Sequence, residues 1–238
     1  MSRDDVRAKG GLMRLHGSGW RFAVSGPQLL HIALFIRDSA GIQMPADPSL
    51  PPRLLYPAFN AAPNPRVATD PLGSQWASWW RQLVDHEVHS ADIARNQESG
   101  QGQRTVRELA DAGAAVFDAP DFASLADSPE LRAIIVDHHE EAGKWSSADR
   151  YTPPRVGYPT TPIPYLAFQQ AAENVAAEPD MPTDRLDAAV SVLDVSGSWS
   201  HIVAPGHMLC SVGLAQDNVA MEDAVRRAFR SRWDGPPS

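Results

Sequence analysis

The chain is poor in cysteine, and Cys210 is the only one among its 238 residues. A single cysteine cannot form an internal disulfide, so the disulfide-stapled secreted domains are excluded and a reducing cytoplasm is expected. Cys210 falls at an apolar position of a predicted strand, where a free cysteine usually packs as a small hydrophobic residue. We therefore expect Cys210 to be buried and unreactive.

Long apolar runs are also missing from the sequence. No stretch reaches the roughly 18 apolar residues that a membrane-spanning helix needs, and the charged residues 1–5 precede no apolar signal-peptide core. We expect a soluble cytoplasmic protein without a membrane partner. The abundance of arginine, alanine and proline is typical of a high-GC bacterial genome, which is information about codons and not about function.

A surplus of positive charge is absent, since the formal net charge is −8. Nucleic-acid-binding proteins usually carry a basic surplus or a basic stripe. The one basic cluster lies near the end of the last predicted helix, where arginines also interact favourably with the helix dipole. We therefore expect no nucleic-acid partner. The cluster consists of Arg226, Arg227, Arg230 and Arg232.

Motifs that fix a reaction are missing as well. The sequence has no Walker loop, no dinucleotide fingerprint and no GxSxG elbow. Polar residues of the C-terminal region match the composition of a serine hydrolase triad, but composition without the right geometry does not make one. No catalytic residue is therefore assigned. The residues concerned are Asp194, Ser198, Ser200, His201 and His207.

The sequence pattern predicts secondary structure most clearly over residues 185–233. Apolar and small polar residues alternate over 186–193 and again over 207–214, which is the period of a β-strand. Extended character resumes between them at 199–203, and the run Ala204-Pro205-Gly206-His207 predicts a type II turn. We expect a three-stranded antiparallel meander here, followed by an amphipathic helix that Asp217 or Asn218 caps.

The strongest predicted helix begins at Asp70-Pro71. Trp76, Trp79 and Trp80 fall on one helical stripe. We expect this helix to be the central element of the hydrophobic core. A second clear helix begins at Pro129, after Ser128, and weaker helices are expected at 106–117 and 163–177. The spacing of apolar residues over 28–37 fits either a helix or a buried strand. The preceding proline favours a helix.

Two proline-rich segments, residues 42–68 and 151–164, exclude regular helix and central strand. The first contains apolar residues that we interpret as anchors on the core, and presentation of a polyproline II segment to a partner is the alternative. Residues 1–19 are interpreted as a flexible arm. We expect a single α+β domain over 1–238, with four to five helices packed with the C-terminal meander. The anchors are Leu54, Leu55, Tyr56 and Phe59.

Titratable residues interrupt the apolar stripes of the two clearest helices. On a helical wheel, Glu87 falls beside the tryptophans, and His138 falls among the aliphatic residues of the second helix. An unpaired charge is costly to bury, so the two residues are a structural pair, part of a metal site, or rim groups. A zinc or iron site would need three or four converging ligands. Its candidates are Glu87, His138, His86, His89 and His139.

The spacing of these candidates is not that of a known metal motif. His86 and His89 are three residues apart, unlike the histidines of HExxH, and His138 and His139 point about 100° apart on a helix. The leading functional hypothesis is therefore a non-enzymatic protein-interaction or accessory protein with an unknown protein partner. The alternative is a metal-binding protein or metal-dependent enzyme with a site between helices 71–97 and 129–145.

Overall fold

The computed structural model describes residues 12–17, 19–55, 70–96, 113, 117–146, 164–181 and 186–232. They form an α+β structure of two compact units, Met1–Pro27 with Asp149–Ser238 and Gln28–Ala148. A single domain can contain two compact units, and so can a chain of two domains. The expectation of a single domain therefore stays a prediction. Among the described residues, no helix combines the length and apolar character that crossing a membrane requires.

The described residues contain five α-helices and five β-strands. The helices are α1 (Gln28–Ser39), α2 (Asp70–Asn96), α3 (Pro129–Ser146), α4 (Tyr165–Ala176) and α5 (Asn218–Arg230). The strands are β1 (Leu12–Gly17), β2 (Trp20–Ser25), β3 (Leu186–Leu193), β4 (Ser200–Ala204) and β5 (His207–Ser211). Residues 28–37 are thus helical, whereas most of the predicted helix 106–117 lies outside the described residues.

All five strands belong to one mixed sheet in the first unit. Its strand order is β1-β2-β3-β5-β4. The three central strands β2, β3 and β5 run parallel to one another, and each outer strand pairs antiparallel with its neighbour. The prediction of a C-terminal three-stranded antiparallel meander is wrong, because β5 lies between β3 and β4 and is parallel to β3.

The position of β3 explains this error. A strand with a parallel neighbour on each side is usually buried on both faces, and β3 is buried at every position except Asp187. Its sequence pattern was interpreted as one buried face, although the strand reads almost continuously apolar or small. Its other neighbour, β2, lies 166 residues away in the sequence. Residues 12–17, within the segment interpreted as a flexible arm, form the edge strand β1.

The predicted turn joins β4 to β5. Gly206 has φ +72°, as the third position of a type II turn requires, and its N–H donates to Ser231 Oγ at 2.8 Å. The predicted cap of α5 is also confirmed. The Asp217 carboxylate accepts the N–H groups of Val219 and Ala220 at 3.0 and 3.1 Å, which satisfies two donors of the first helical turn.

Helices α4 and α5 cover one face of the sheet. The core of this unit contains three phenylalanine rings, one from the sheet and one from each helix. The Phe22 centroid on β2 lies 6.1 Å from that of Phe168 on α4 and 5.6 Å from that of Phe229 on α5. Cys210 is buried in the same core, as expected, and burial raises the pKa of its thiol.

The second unit is built on α1, α2 and α3. Its tryptophans Trp76, Trp79 and Trp80 are each at most 2% exposed, which confirms the predicted stripe of α2. The Trp76 and Trp80 rings stack with centroids 5.3 Å apart. Trp76 Nε1 donates to the carbonyl oxygen of Ala33 at 3.2 Å, so the large ring also ties α2 to α1.

A buried ion pair fixes the described part of the first proline-rich segment to α1. Arg37 donates to both carboxylate oxygens of Asp38, at 2.7 and 3.0 Å, and to the carbonyl oxygens of Pro51 and Pro52 at 2.7 Å. The Asp38 carboxylate also accepts the N–H of Leu54 at 2.6 Å. The packing interpretation is therefore confirmed for Leu54.

The remaining anchors of that interpretation differ in outcome. Leu55 is exposed, so it does not anchor the segment. Tyr56 and Phe59, like residues 151–163 of the second proline-rich segment, lie outside the described residues.

Candidate functional sites

The five predicted metal ligands lie on two helices of the second unit that pack together. His86, Glu87 and His89 are on α2, and His138 and His139 are on α3. His89 is exposed and the other four are half-buried. The α2 stripe is therefore partly solvated at these residues, where a charge keeps some contact with water, whereas the α3 stripe continues beyond His138 to the buried Ala142 and Trp145.

The two histidines of α3 interact with their own helix. His138 Nδ1 lies 2.9 Å from the carbonyl oxygen of Ile134, and His139 Nδ1 lies 2.8 Å from that of Val136. In the tautomer protonated at Nδ1, each ring donates this hydrogen bond and keeps Nε2 as an acceptor or ligand atom. The His139 ring also packs edge-on against Phe122, with centroids 5.2 Å apart.

His86 has the most unusual surroundings of the five. Its Nδ1 is buried and makes no hydrogen bond to the described residues. Burial lowers the pKa of His86, and the nearby His89 lowers it further. A neutral imidazole is the form that binds metals. A Cβ on Gly113 would lie 3.3 Å from His86 Cε1, so a side chain at residue 113 would crowd this ring.

Within the described residues, no group of three or more His, Cys, Asp or Glu side chains is arranged to hold a metal ion. The zinc or iron site thus stays a prediction, and so do the roles of Glu87 and His138.

A second polar cluster crosses the parallel strands of the sheet. Ser191 Oγ on β3 lies 3.1 Å from Ser25 Oγ on β2 and 3.2 Å from His207 Nε2 on β5. Ser191 and His207 are at most 1% exposed, and Ser25 keeps part of its surface open. Sequence reasoning missed both serines. The sequence signal that could have found them is a serine directly beside a buried valine in each strand.

The other polar residues of the C-terminal region have separate surroundings. Ser200 Oγ accepts from Arg227 at 3.1 Å, and the His201 ring stacks on Trp199. Asp194 is buried after β3, and Ser198 is exposed in the loop that follows. Of the five residues noted for their hydrolase composition, His207 is the one that joins the serine cluster.

Each arginine of the C-terminal basic cluster has an acidic partner. The Arg226 guanidinium forms hydrogen bonds with the Glu178 carboxylate, the shortest at 2.6 Å, and these hold the pKa of Glu178 below its usual value. The cluster is therefore largely neutralised within its own unit. The further pairs are Arg227–Asp223, Arg230–Asp180 and Arg232–Asp187.

Helices α4 and α5 lie side by side. Asn174, near the C-terminal end of α4, donates to Glu222, near the beginning of α5. Glu178 and Asp180, which follow α4, contact Arg226 and Arg230. The first turn of each helix carries an exposed aliphatic side chain, with Leu166 at 81% and Val219 at 80% exposure.

Polar side chains continue this surface toward the middle of the helices. Gln170 donates to Asn174 Oδ1 at 2.9 Å, and Asn174 donates to Glu222 Oε1 at 2.6 Å. We call this surface the α4–α5 outer face. It consists of Leu166, Gln170, Asn174, Val219 and Glu222.

Comparison of the chain with protein families, with curated proteins and with solved structures finds no match.

Proposed function

We propose that this protein works by binding another protein through the α4–α5 outer face. The observation that carries the proposal is the exposure of Leu166 and Val219 on the first turns of two neighbouring helices. Full burial of a leucine or valine side chain contributes about 1.5–3 kcal/mol. A partner that covers both residues would gain that energy without any change in the core below them.

The exposure of these two residues on neighbouring helices favours a binding surface over exposure by chance. Isolated apolar residues are common on protein surfaces. The other exposed large hydrophobic residues of the described chain, Leu55 and Val136, are 38% and 40% exposed, about half as much as Leu166 and Val219. The two most exposed ones therefore share one helix layer.

Charge indicates the chemistry of the partner. The α4–α5 outer face includes the Glu222 carboxylate, and the chain carries a net charge of −8. An apolar partner surface with basic flanks would be attracted to this face and oriented on it. Nucleic acid is the less favoured partner, because the arginines of α5 are already paired with carboxylates.

Site-specific photo-crosslinking tests the proposal. A benzophenone amino acid at position 166 or 219 is expected to capture the same protein in cells of the source organism. The matched control is position 140 on α3, where Glu140 is also exposed but lies in the other unit. Capture of different proteins at 166 and 219, or of the same set at 140, would contradict the proposal.

Charge substitution then tests whether the two exposed apolar side chains carry the affinity. Leu166→Glu with Val219→Glu is expected to weaken binding of the captured partner at least 100-fold. The melting temperature should stay unchanged, since both side chains are exposed. Unchanged binding by the folded double variant would rule this face out.

A metal site near His86 is the second candidate function, supported by the buried Nδ1 of this ring. Elemental analysis of protein purified without a histidine tag is the measurement. Stoichiometric zinc or iron that disappears in His86→Gln would support it, and a metal-free folded protein would reject it. Glu87, His89, His138 and His139 are the residues to substitute next.

A further inference from the structure

The cluster of Ser25, Ser191 and His207 lies on the sheet face opposite α4 and α5. Successive side chains of a strand point to opposite faces. Val24, Val190 and Met208 belong to the core beneath the helices, so their neighbours in the chain point away from it. This second face is also buried at its centre, where Ala189 and Leu209 are at most 2% exposed.

We propose that Ser25 is the nucleophile of an acyl-transfer site and that His207 activates it through Ser191. The substrate class is an ester with an alcohol leaving group. This activity is separate from partner binding at the α4–α5 outer face, because the two surfaces lie on opposite sides of the sheet.

The geometry provides a continuous route for one proton. With the His207 proton on Nδ1, Nε2 accepts from Ser191 Oγ at 3.2 Å, and Ser191 Oγ accepts from Ser25 Oγ at 3.1 Å. Both distances suit the transfer of a proton along hydrogen bonds. The route ends on Ser25, which is the one member of the cluster that retains exposed surface.

The chemical step balances along this route. Ser25 Oγ forms a bond to the carbonyl carbon of the ester as its proton passes to Ser191 and the Ser191 proton passes to His207 Nε2. When the tetrahedral intermediate collapses, the bond from carbon to the leaving oxygen breaks. The His207 proton returns through Ser191, whose hydroxyl donates directly to the departing alcohol oxygen, because the acylated Ser25 Oγ no longer carries a proton. Water later releases the acyl group from Ser25.

The position of Ser25 in the sheet agrees with this role. Ser25 is the last residue of β2, and β2 runs parallel to β3. In sheets with parallel strands, ligands bind outside the carboxyl ends of the strands. The reactive oxygen therefore lies at the edge where a substrate would arrive, while the base is buried behind it.

Labelling with a fluorophosphonate probe tests the site on the full-length protein. We expect one adduct per chain, located on Ser25 by peptide mass mapping. Ser25→Ala should abolish the adduct, and Ser191→Ala and His207→Gln should each slow it by about 100-fold or more. Ser198→Ala, at an exposed serine outside the cluster, should leave the rate unchanged.

Circular dichroism of each variant keeps the test decisive, because substitution of a buried residue can impair folding. If His207→Gln does not fold, the folded Ser191→Ala variant decides. The proposal fails if the wild-type protein forms no adduct. It also fails if the adduct persists in Ser25→Ala or if folded Ser191→Ala reacts at the wild-type rate.

Discussion

At the scale of the single residue, His86 shows how burial changes the chemistry of a side chain. The ring is half-buried, its Nδ1 has no hydrogen-bond partner among the described residues, and its pKa is lowered from 6.5. Burial removes water that would stabilise the imidazolium, and the nearby His89 adds repulsion when it is charged. The folded protein therefore holds His86 in the neutral form more strongly than the unfolded chain does.

This shift predicts a loss of stability in mild acid. Below pH 6.5 the unfolded chain binds a proton at His86 that the folded protein resists, so the free energy of unfolding falls as the pH falls from 7 toward 5. The His86 share should be less than about 1 kcal/mol, because solvent screens a half-buried ring. Urea unfolding at several pH values is the measurement.

Two variants isolate the contribution of His86. His86→Gln should flatten the pH dependence, and His89→Gln should flatten it only in part, since His89 is the smaller cause of the shift. An unchanged slope in His86→Gln would show that other groups cause the acid sensitivity.

Gly206 provides a second test at the residue scale. Alanine at this position must adopt positive φ, and its Cβ would lie 2.7–2.9 Å from atoms of the Arg232 side chain. We expect Gly206→Ala to reduce the free energy of unfolding by about 1 kcal/mol or slightly more. The measurement is chemical denaturation.

Gly143 on α3 is the matched control for Gly206. No atom lies within 4 Å of a Cβ built there, and alanine favours helix over glycine by about 0.5–1 kcal/mol. Gly143→Ala should therefore stabilise the protein. Equal effects at both glycines would mean that the turn does not need positive φ at residue 206.

At the scale of the element, the C-terminal end of α1 holds an extended proline-rich segment in place. Helix and sheet pair their backbone groups internally, but a proline-rich segment depends on side chains for its carbonyl partners. Arg37 fills that role for Pro51 and Pro52, and its guanidinium lies 5.3 Å from the centroid of the Trp76 ring. One buried cation thus connects α1, α2 and the segment.

Replacement of Arg37 by leucine should be strongly destabilising. The change removes the cation that pairs with the buried Asp38 carboxylate, and it removes the donor to two backbone carbonyl oxygens. The expected loss is about 3–5 kcal/mol of unfolding free energy, measured by chemical denaturation. Lys144→Leu is the control. It removes an exposed pair with Glu140 on α3 and should cost about 0.5 kcal/mol or less.

Some elements of this structure were predictable from local sequence, and others were not. The tryptophan stripe of α2, the Pro205-Gly206 turn and the Asp217 cap were predictable, because each depends on residues within a few positions of one another. The pairing of β2 with β3 depends on residues 166 positions apart, and no local pattern encodes it. The contacts of Arg37 with Pro51 and Pro52 were missed for a similar reason, since these residues lie 14 and 15 positions away in an extended segment.

The candidate sites also differ in how far local sequence could predict them. Helical spacing placed Glu87 and His138 within apolar stripes, and the structure finds both side chains half-buried. Their spacing could not show whether the two side chains converge. The cluster of Ser25, Ser191 and His207 was not predictable, because it exists only when three strands from distant parts of the chain lie side by side.

At the scale of the whole molecule, the sheet joins the two ends of the described chain. β1 and β2 come from residues 12–25, whereas β3, β4 and β5 come from residues 186–211. The edge strand β1 contributes the buried Leu15 and covers one backbone edge of β2. An uncovered edge offers free N–H and C=O groups to other chains.

Removal of β1 should therefore affect both stability and association. Deletion of residues 1–18 is expected to reduce the free energy of unfolding by at least about 2 kcal/mol, as loss of one buried leucine does. It should also promote aggregation, measured by light scattering. The reference is deletion of residues 1–11, which leaves β1 in place. Equal behaviour of the two deletions would show that β1 contributes little.

The separation between β2 and β3 also sets an order of events during synthesis. The hairpin of β1 and β2 leaves the ribosome first, but its partner on β3 follows 166 residues later. At about 5–20 residues per second, the nascent hairpin waits about 8–33 s for that partner. During this interval Trp20 and Phe22 have no sheet core to enter, so a nascent-chain chaperone that shields the hairpin would raise the yield of folded protein.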